Sequence, residues 1–139
     1  YSNNDVLRLQ EELNVLSKWA SDWHMTFNLN KCEHLVVSNI RSPLYTEYRI
    51  NDHSIRKVST AKYLGVIIDH NFSWSDHIGA VSRKANGVLA FLQRNLKKCS
   101  SSIKSLAYFT YVRPILEYVS IVWAPHTNCQ IVTLEKILN

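Results

Sequence analysis

Eleven carboxylates are spread along the 139-residue chain: Asp5, Glu11, Glu12, Asp22, Glu33, Glu47, Asp52, Asp69, Asp76, Glu117 and Glu135. Two-metal phosphoryl chemistry needs carboxylates that converge, as an adjacent pair at a strand end does. No Asp-Asp pair occurs. Glu11 and Glu12 fall inside a helical pattern, where neighbours diverge by about 100° and clamp a metal poorly. Gly65, Gly79 and Gly87 form no glycine-rich phosphate loop. No GxSxG or HExxH stretch is present. His24, His34, His53, His70, His77 and His126 show no pairing that marks a nucleophile or a ligand set. Cys32-x-His34 and His126-x-x-Cys129 are mismatched and distant, whereas structural zinc takes four ligands in two tight pairs. Taken alone, these residues do not make a complete enzyme, and no metal is expected on this chain.

The cations read differently. The net charge is +5. Residues 1–55 hold 5 basic and 7 acidic groups, residues 56–104 hold 9 and 2, and residues 105–139 hold 2 and 2. The excess therefore sits in the middle third. A surface that contacts phosphates needs such a concentration, although a merely solvated basic face has the same composition. Hydrophobic residues at 46% supply a core and exclude a wholly disordered chain. The longest apolar run, Ile115 to Ala124, is broken by Glu117 and Ser120, so no membrane span is expected. An odd number of cysteines without CxxC fits a reducing, intracellular location, nucleus or cytoplasm. A first residue of Tyr reads as a piece of a longer polypeptide.

These charges must be carried on elements. Val6, Leu9, Leu13, Leu16, Ala20 and Trp23 recur at steps of three and four, which predicts an amphipathic helix over 5–24. Arg8 and Glu12 would pair on its exposed side. His34–Val37 reads as a strand and Ser42-Pro43 as a loop. Residues 45–58 read as a hairpin, with strand-like Tyr45, Tyr48, Ile50 and Ile55 around an Asn51-Asp52-His53 turn. Residues 62–69 (KYLGVIID) read as the best strand, buried on both faces, with Gly65 marking a bulge or a close backbone approach. The period then changes. Ile78, Val81, Ala85, Val88, Leu89, Leu92 and Leu96 fill one sector about 100° wide, which predicts a helix over 75–98. Arg83, Lys84, Arg94, Lys97 and Lys98 fall on the opposite side. Ser73 or Ser75 would cap its start. Residues 102–113 and 114–124 read as helical, kinked or broken at Pro114, and 129–138 as a further helix. The fold class is therefore α+β: a helix with a small antiparallel sheet in residues 1–72, then an α-helical bundle in 73–139.

In this order, four segments resemble the C-terminal part of a non-LTR, LINE-type, Jockey-like retrotransposon reverse transcriptase. They are LSKWASDWHMTFNLNKCE at 16–33; Lys62-Tyr63-Leu64-Gly65-Val66 with Asp69, Trp74, His77 and Ile78; Lys84-Ala85-Asn86 with Leu89, Leu92, Arg94 and Asn95; and Tyr111-Val112-Arg113-Pro114 with Leu116-Glu117-Tyr118 and Val122-Trp123-Ala124-Pro125. The likeness covers nearly the whole chain.

The resemblance implies a polymerase hand in which residues 1–72 are the remainder of the palm and 73–139 the thumb, cut short at its C-terminus. The Tyr/Phe-Ala-Asp-Asp hairpin that holds Mg2+ in the full-length enzyme would precede Tyr1. This chain would then hold none of that metal and be inactive alone, its partners being an RNA template, a DNA primer, and the missing fingers and palm of the parent polypeptide. By the same resemblance Lys31 matches a lysine thought to protonate the pyrophosphate leaving group, although a turn lysine in water looks the same. Tyr63-Leu64-Gly65 matches the primer grip, with a tightly packed strand as the plain alternative. The basic face would track the nucleic-acid backbone. Trp19, Trp23, Trp74, Tyr118 and Trp123 lie on apolar stripes and are expected in the core rather than as stacking platforms. Two alternatives remain: a non-enzymatic nucleic-acid-binding module derived from such an element, or an interaction protein whose basic face only solubilises it.

Overall fold

The computed structural model describes residues 3–38 and 46–138. The expected loop at Ser42-Pro43 and the strand position of Tyr45 lie outside them. The elements are α1 (Asn3–Asp22), β1 (Glu33–Leu35), β2 (Arg49–Ile50), β3 (His53–Ser54), β4 (Arg56–Val58), β5 (Thr60–Tyr63), β6 (Val66–Asp69), α2 (Ser75–Asn95), α3 (Ser101–Ala107), α4 (Arg113–Glu117) and α5 (Asn128–Leu138). A short 3-10 turn covers Leu29–Lys31. The class is α+β, with a helical C-terminal region. The chain groups into two compact units: residues 1–61 with 69–72, and residues 62–68 with 73–139.

In the first unit α1 packs on β2. Gln10 makes the join: its side-chain amide donates to the Arg49 carbonyl and accepts from the Arg49 N–H, both at 2.9 Å. A side chain thus supplies what a neighbouring strand would. The Arg8–Glu12 pair forms as expected, at 3.3 Å. β2 and β3 pair antiparallel, with Ile50 opposite His53. Asn51 and Asp52 both take positive φ, 48° and 63°, the turn that suits a two-residue hairpin and these residue types. β4 then runs parallel to β1, with Glu33 opposite Arg56 and an ion pair joining them. The small sheets are therefore not all antiparallel.

The second unit holds the main core. Val66, Ile78, Ala85, Val112, Leu116, Trp123, Leu134 and Ile137 are buried together. Every residue of the expected apolar sector of α2 is buried or half-buried. Asp76 in its first turn and Arg94 in its last suit the helix dipole. The Ser75 N–H donates to Ser73 Oγ at 3.4 Å, but the N-cap position is held by Trp74 at φ 59°, not by Ser73 or Ser75 as expected. Buried Gln130 ties α5 to that start, donating to the Ser73 carbonyl at 2.7 Å.

Two expectations need correction. Residues 62–69 are not one strand buried on both faces. They are most of a hairpin, β5–β6, turning at Leu64-Gly65, with Tyr63 and Leu64 exposed at 67% and 73%. The helix expected over 114–124 ends at Glu117, and turns carry the chain to Trp123. Before Pro114 the helical path widens into a π turn, Tyr108–Val112. A proline cannot donate to the preceding turn, and the wider turn accommodates that loss.

Candidate nucleic-acid interface

The tip of β5–β6 is built on strain. Leu64 has φ 47° and Gly65 φ 88°. Gly65 takes that conformation freely, but Leu64 does so at a cost of about 1–2 kcal/mol. A strained, exposed leucine contributes nothing to a core, so its position points toward contact with something outside the chain.

The tip is held from one side by Tyr118, at the end of α4. Its hydroxyl donates to the Leu64 carbonyl at 2.9 Å. A Cβ on Gly65 would stand 3.4 Å from the Tyr118 ring. Tyr118 is itself held. Its carbonyl accepts from Trp123 Nε1 at 2.8 Å, and Trp123 is 1% exposed. The Trp123 ring meets His77 of α2 edge to face, at 5.0 Å between centroids. His77 Nδ1 accepts the Ile67 N–H of β6 at 3.2 Å. The hairpin is therefore tied to the helices at two points, Leu64 and Ile67, through three aromatic side chains. Burial lowers the His77 pKa and favours the neutral ring that this acceptor role requires.

A cavity of about 420 Å³ lies between this hairpin, α2 and α4. Lys62, Gly65, His77, Lys84, Pro114 and Tyr118 are among its lining residues. Arg83, Lys84, Arg94, Lys97 and Lys98 are all exposed. Among the described residues none of them, nor Lys62, has a carboxylate within ion-pair distance. Arg83, Lys84 and Arg94 keep to the side of α2 away from its core face, whereas the helix expected over 75–98 ends at Asn95 and Lys97 and Lys98 lie in the turn that follows it. Unpaired cations on a helix and on the turn after it favour a polyanion and read no sequence in it.

The candidates named from sequence are thus brought together in part. Tyr63, Leu64 and Gly65 share one hairpin tip, and Gly65 shares a cavity with Lys84. Lys31 stands apart on the 3-10 turn of the first unit, exposed and without an ion-pair partner among the described residues. Of the aromatics expected in the core, Trp123 is buried and Trp74 half-buried, but Trp19, Trp23 and Tyr118 are exposed at 48%, 67% and 54%. Their stripe of apolar neighbours was a misleading guide, because it continues beyond what the described residues cover. Lys62 and Tyr118 are site residues that the sequence did not single out as contacts. Their hint was only adjacency to Tyr63 and Glu117.

Among the described residues no three His, Cys, Asp or Glu side chains gather at a point. No described helix is long and apolar enough to cross a membrane.

Comparison with known proteins agrees in one direction. The chain is 32% identical over 119 residues to the RNA-directed DNA polymerase from mobile element jockey of Drosophila funebris, an alignment covering 79% of this chain and 12% of that protein. It is 30% identical over 129 residues to the probable RNA-directed DNA polymerase from transposon BS of Drosophila melanogaster, covering 86% of this chain and 14% of that protein. Against the jockey polymerase of Drosophila melanogaster the identity is 28% over 113 residues. The chain thus spans about an eighth of the length of these relatives. No family model matches the chain, and no solved structure matches it.

Proposed function

We propose, for a chain related by sequence to the RNA-directed DNA polymerases of non-LTR retrotransposons, that it positions an RNA template and its DNA primer and does not polymerise by itself. The observation that carries this reading is the pairing of an exposed, strained hairpin tip at Tyr63-Leu64-Gly65 with an unpaired basic face on α2. The cations hold the backbone through phosphates, and the exposed Tyr63 and Leu64 side chains of the tip press against it. In hand terms, residues 1–72 correspond to the palm remainder and residues 73–139 to the thumb, with the grip hairpin fastened to the thumb helices by Tyr118 and His77. Divalent metal, fingers and the rest of the palm then come from the remainder of a parent polypeptide. Lys31 is the proton donor to pyrophosphate in that larger enzyme, a role supported by its motif and by its unpaired ammonium. Three free cysteines support an intracellular, reducing location.

The test is salt-dependent binding to an RNA–DNA hybrid. Each phosphate contact contributes about 0.7–0.9 to the slope of log affinity against log salt. Replacing Arg83, Lys84, Arg94 and Lys97 together by Gln should make that slope shallower by about 3. An unchanged slope would show that this face is only solvated. A non-enzymatic binding module derived from such an element shares the same slope and differs in its parent polypeptide. Lys31→Ala in a polymerase containing this segment separates the two: a fall in kcat with unchanged hybrid affinity supports the catalytic assignment.

A further inference from the structure

We propose that the cavity between the β5–β6 hairpin, α2 and α4 takes a single unpaired nucleotide at the end of a nucleic-acid strand. The inference rests on the template-primer reading above and goes further, because a surface that only tracks a backbone needs no cavity. Three observations carry it. The volume, about 420 Å³, is within the range of small-ligand sites and so suits a single nucleotide. Lys62 and Lys84 both line it, and neither has a carboxylate partner among the described residues. Two unpaired ammoniums in one lining are suited to a phosphate. The apolar part of the wall includes Pro114, Ile115 and the half-exposed ring of Tyr118, which offers a surface for a base to stack on.

The assignment makes Lys62 and Tyr118 contacts for the strand end. Lys84 then serves both the cavity and the outer basic face. Arg94, Lys97 and Lys98 do not line the cavity and serve the backbone alone.

The experiment compares two RNA–DNA hybrids binding to the 139-residue chain, one blunt and one with a single unpaired 2-aminopurine deoxynucleotide at an end. The expected result is an affinity at least about fivefold higher for the overhang, with the 2-aminopurine emission changed on binding. Lys62→Gln should abolish the preference for the overhang, and Tyr118→Leu should abolish the emission change. Equal affinity for the two hybrids overturns the cavity assignment and leaves the basic-face reading standing. Failure to bind either hybrid overturns both. Displacement of the overhang signal by a free deoxynucleoside monophosphate at equal molarity would assign the cavity to a free nucleotide and overturn the strand-end assignment.

Discussion

Leu64 and Gly65 sit side by side in the left-handed region, and only one of them is suited to it. The two positions therefore respond oppositely to substitution. Leu64→Asn should stabilise the second unit by up to about 1 kcal/mol, since Asn-Gly is the preferred pair for such a turn. The same change should weaken hybrid binding, because it removes the exposed apolar tip. Urea unfolding and fluorescence anisotropy on one preparation would show both effects; a loss of stability would refute the turn geometry. Gly65→Ala should destabilise by about 1–2 kcal/mol, through its φ of 88° and the adjacent Tyr118 ring. Tyr118→Phe keeps the ring and removes only the hydroxyl bound to the Leu64 carbonyl. Amide exchange at Val66 and Ile67 should then quicken, with the stability lowered by about 1 kcal/mol.

The hairpin and α2 form a pair whose joint titrates. His77 has a pKa lowered by burial, and its neutral Nδ1 accepts the Ile67 N–H. The unfolded chain, with His near about 6.5, binds more protons than the folded chain around that pH. This contribution to stability is thus full above about pH 6.5 and falls as pH drops from there toward the lower folded value. His34 in the first unit is shifted the same way, by burial first and then by Lys57. The unfolding midpoint should decrease between about pH 7.5 and 5.5, and His77→Gln should flatten that decrease while His34 leaves a residue of it. A midpoint independent of pH in this window would mean that His77 is not held neutral. Trp123 carries the rest of the joint. Trp123→Ala should cost about 3–5 kcal/mol, as expected for a large ring lost from a core, and should unfold the hairpin's attachment along with the helices. Much of this element structure was legible in sequence. Steps of three and four marked α1, α2 and α5, and Asn51-Asp52 marked the first hairpin turn. The second hairpin was not legible, because Leu64 is no turn former and Tyr63-Leu64-Gly65-Val66 reads as an uninterrupted apolar run. The length of α4 was misread for a related reason: apolar density suggests a packed helix, but the chain from Tyr118 to Trp123 runs in turns that bring only Val119 and Trp123 to the core and leave Ile121 and Val122 exposed.

Across the molecule, apolar surface is distributed unequally. Leu16, Trp19, Trp23 and Met25 are exposed on and just after α1, although the stripe they belong to has the period of a core-facing helix. Patches of this kind mark surfaces that take a partner or drive association. The chain should bind a hydrophobic dye and self-associate as concentration rises. Trp19→Gln with Trp23→Gln should suppress both while shifting the melt little, as neither side chain is in the core. Dye binding that survives the double variant would locate the exposed surface elsewhere, for instance at Ile103, Leu106 and Phe109. The chain's own sequence determined the helical periods, the concentration of cations in its middle third and their separation from the apolar sector of α2. These follow from spacing alone, because a helix converts sequence interval into angle. Only the tertiary structure decided that Tyr118 meets Leu64 across 54 residues, that Lys62 and Lys84 line one cavity, and that Trp19 and Trp23 face outward while Trp123 does not. Convergence of distant residues depends on how elements pack, and an amphipathic stripe records that a face prefers cover without recording where the cover comes from.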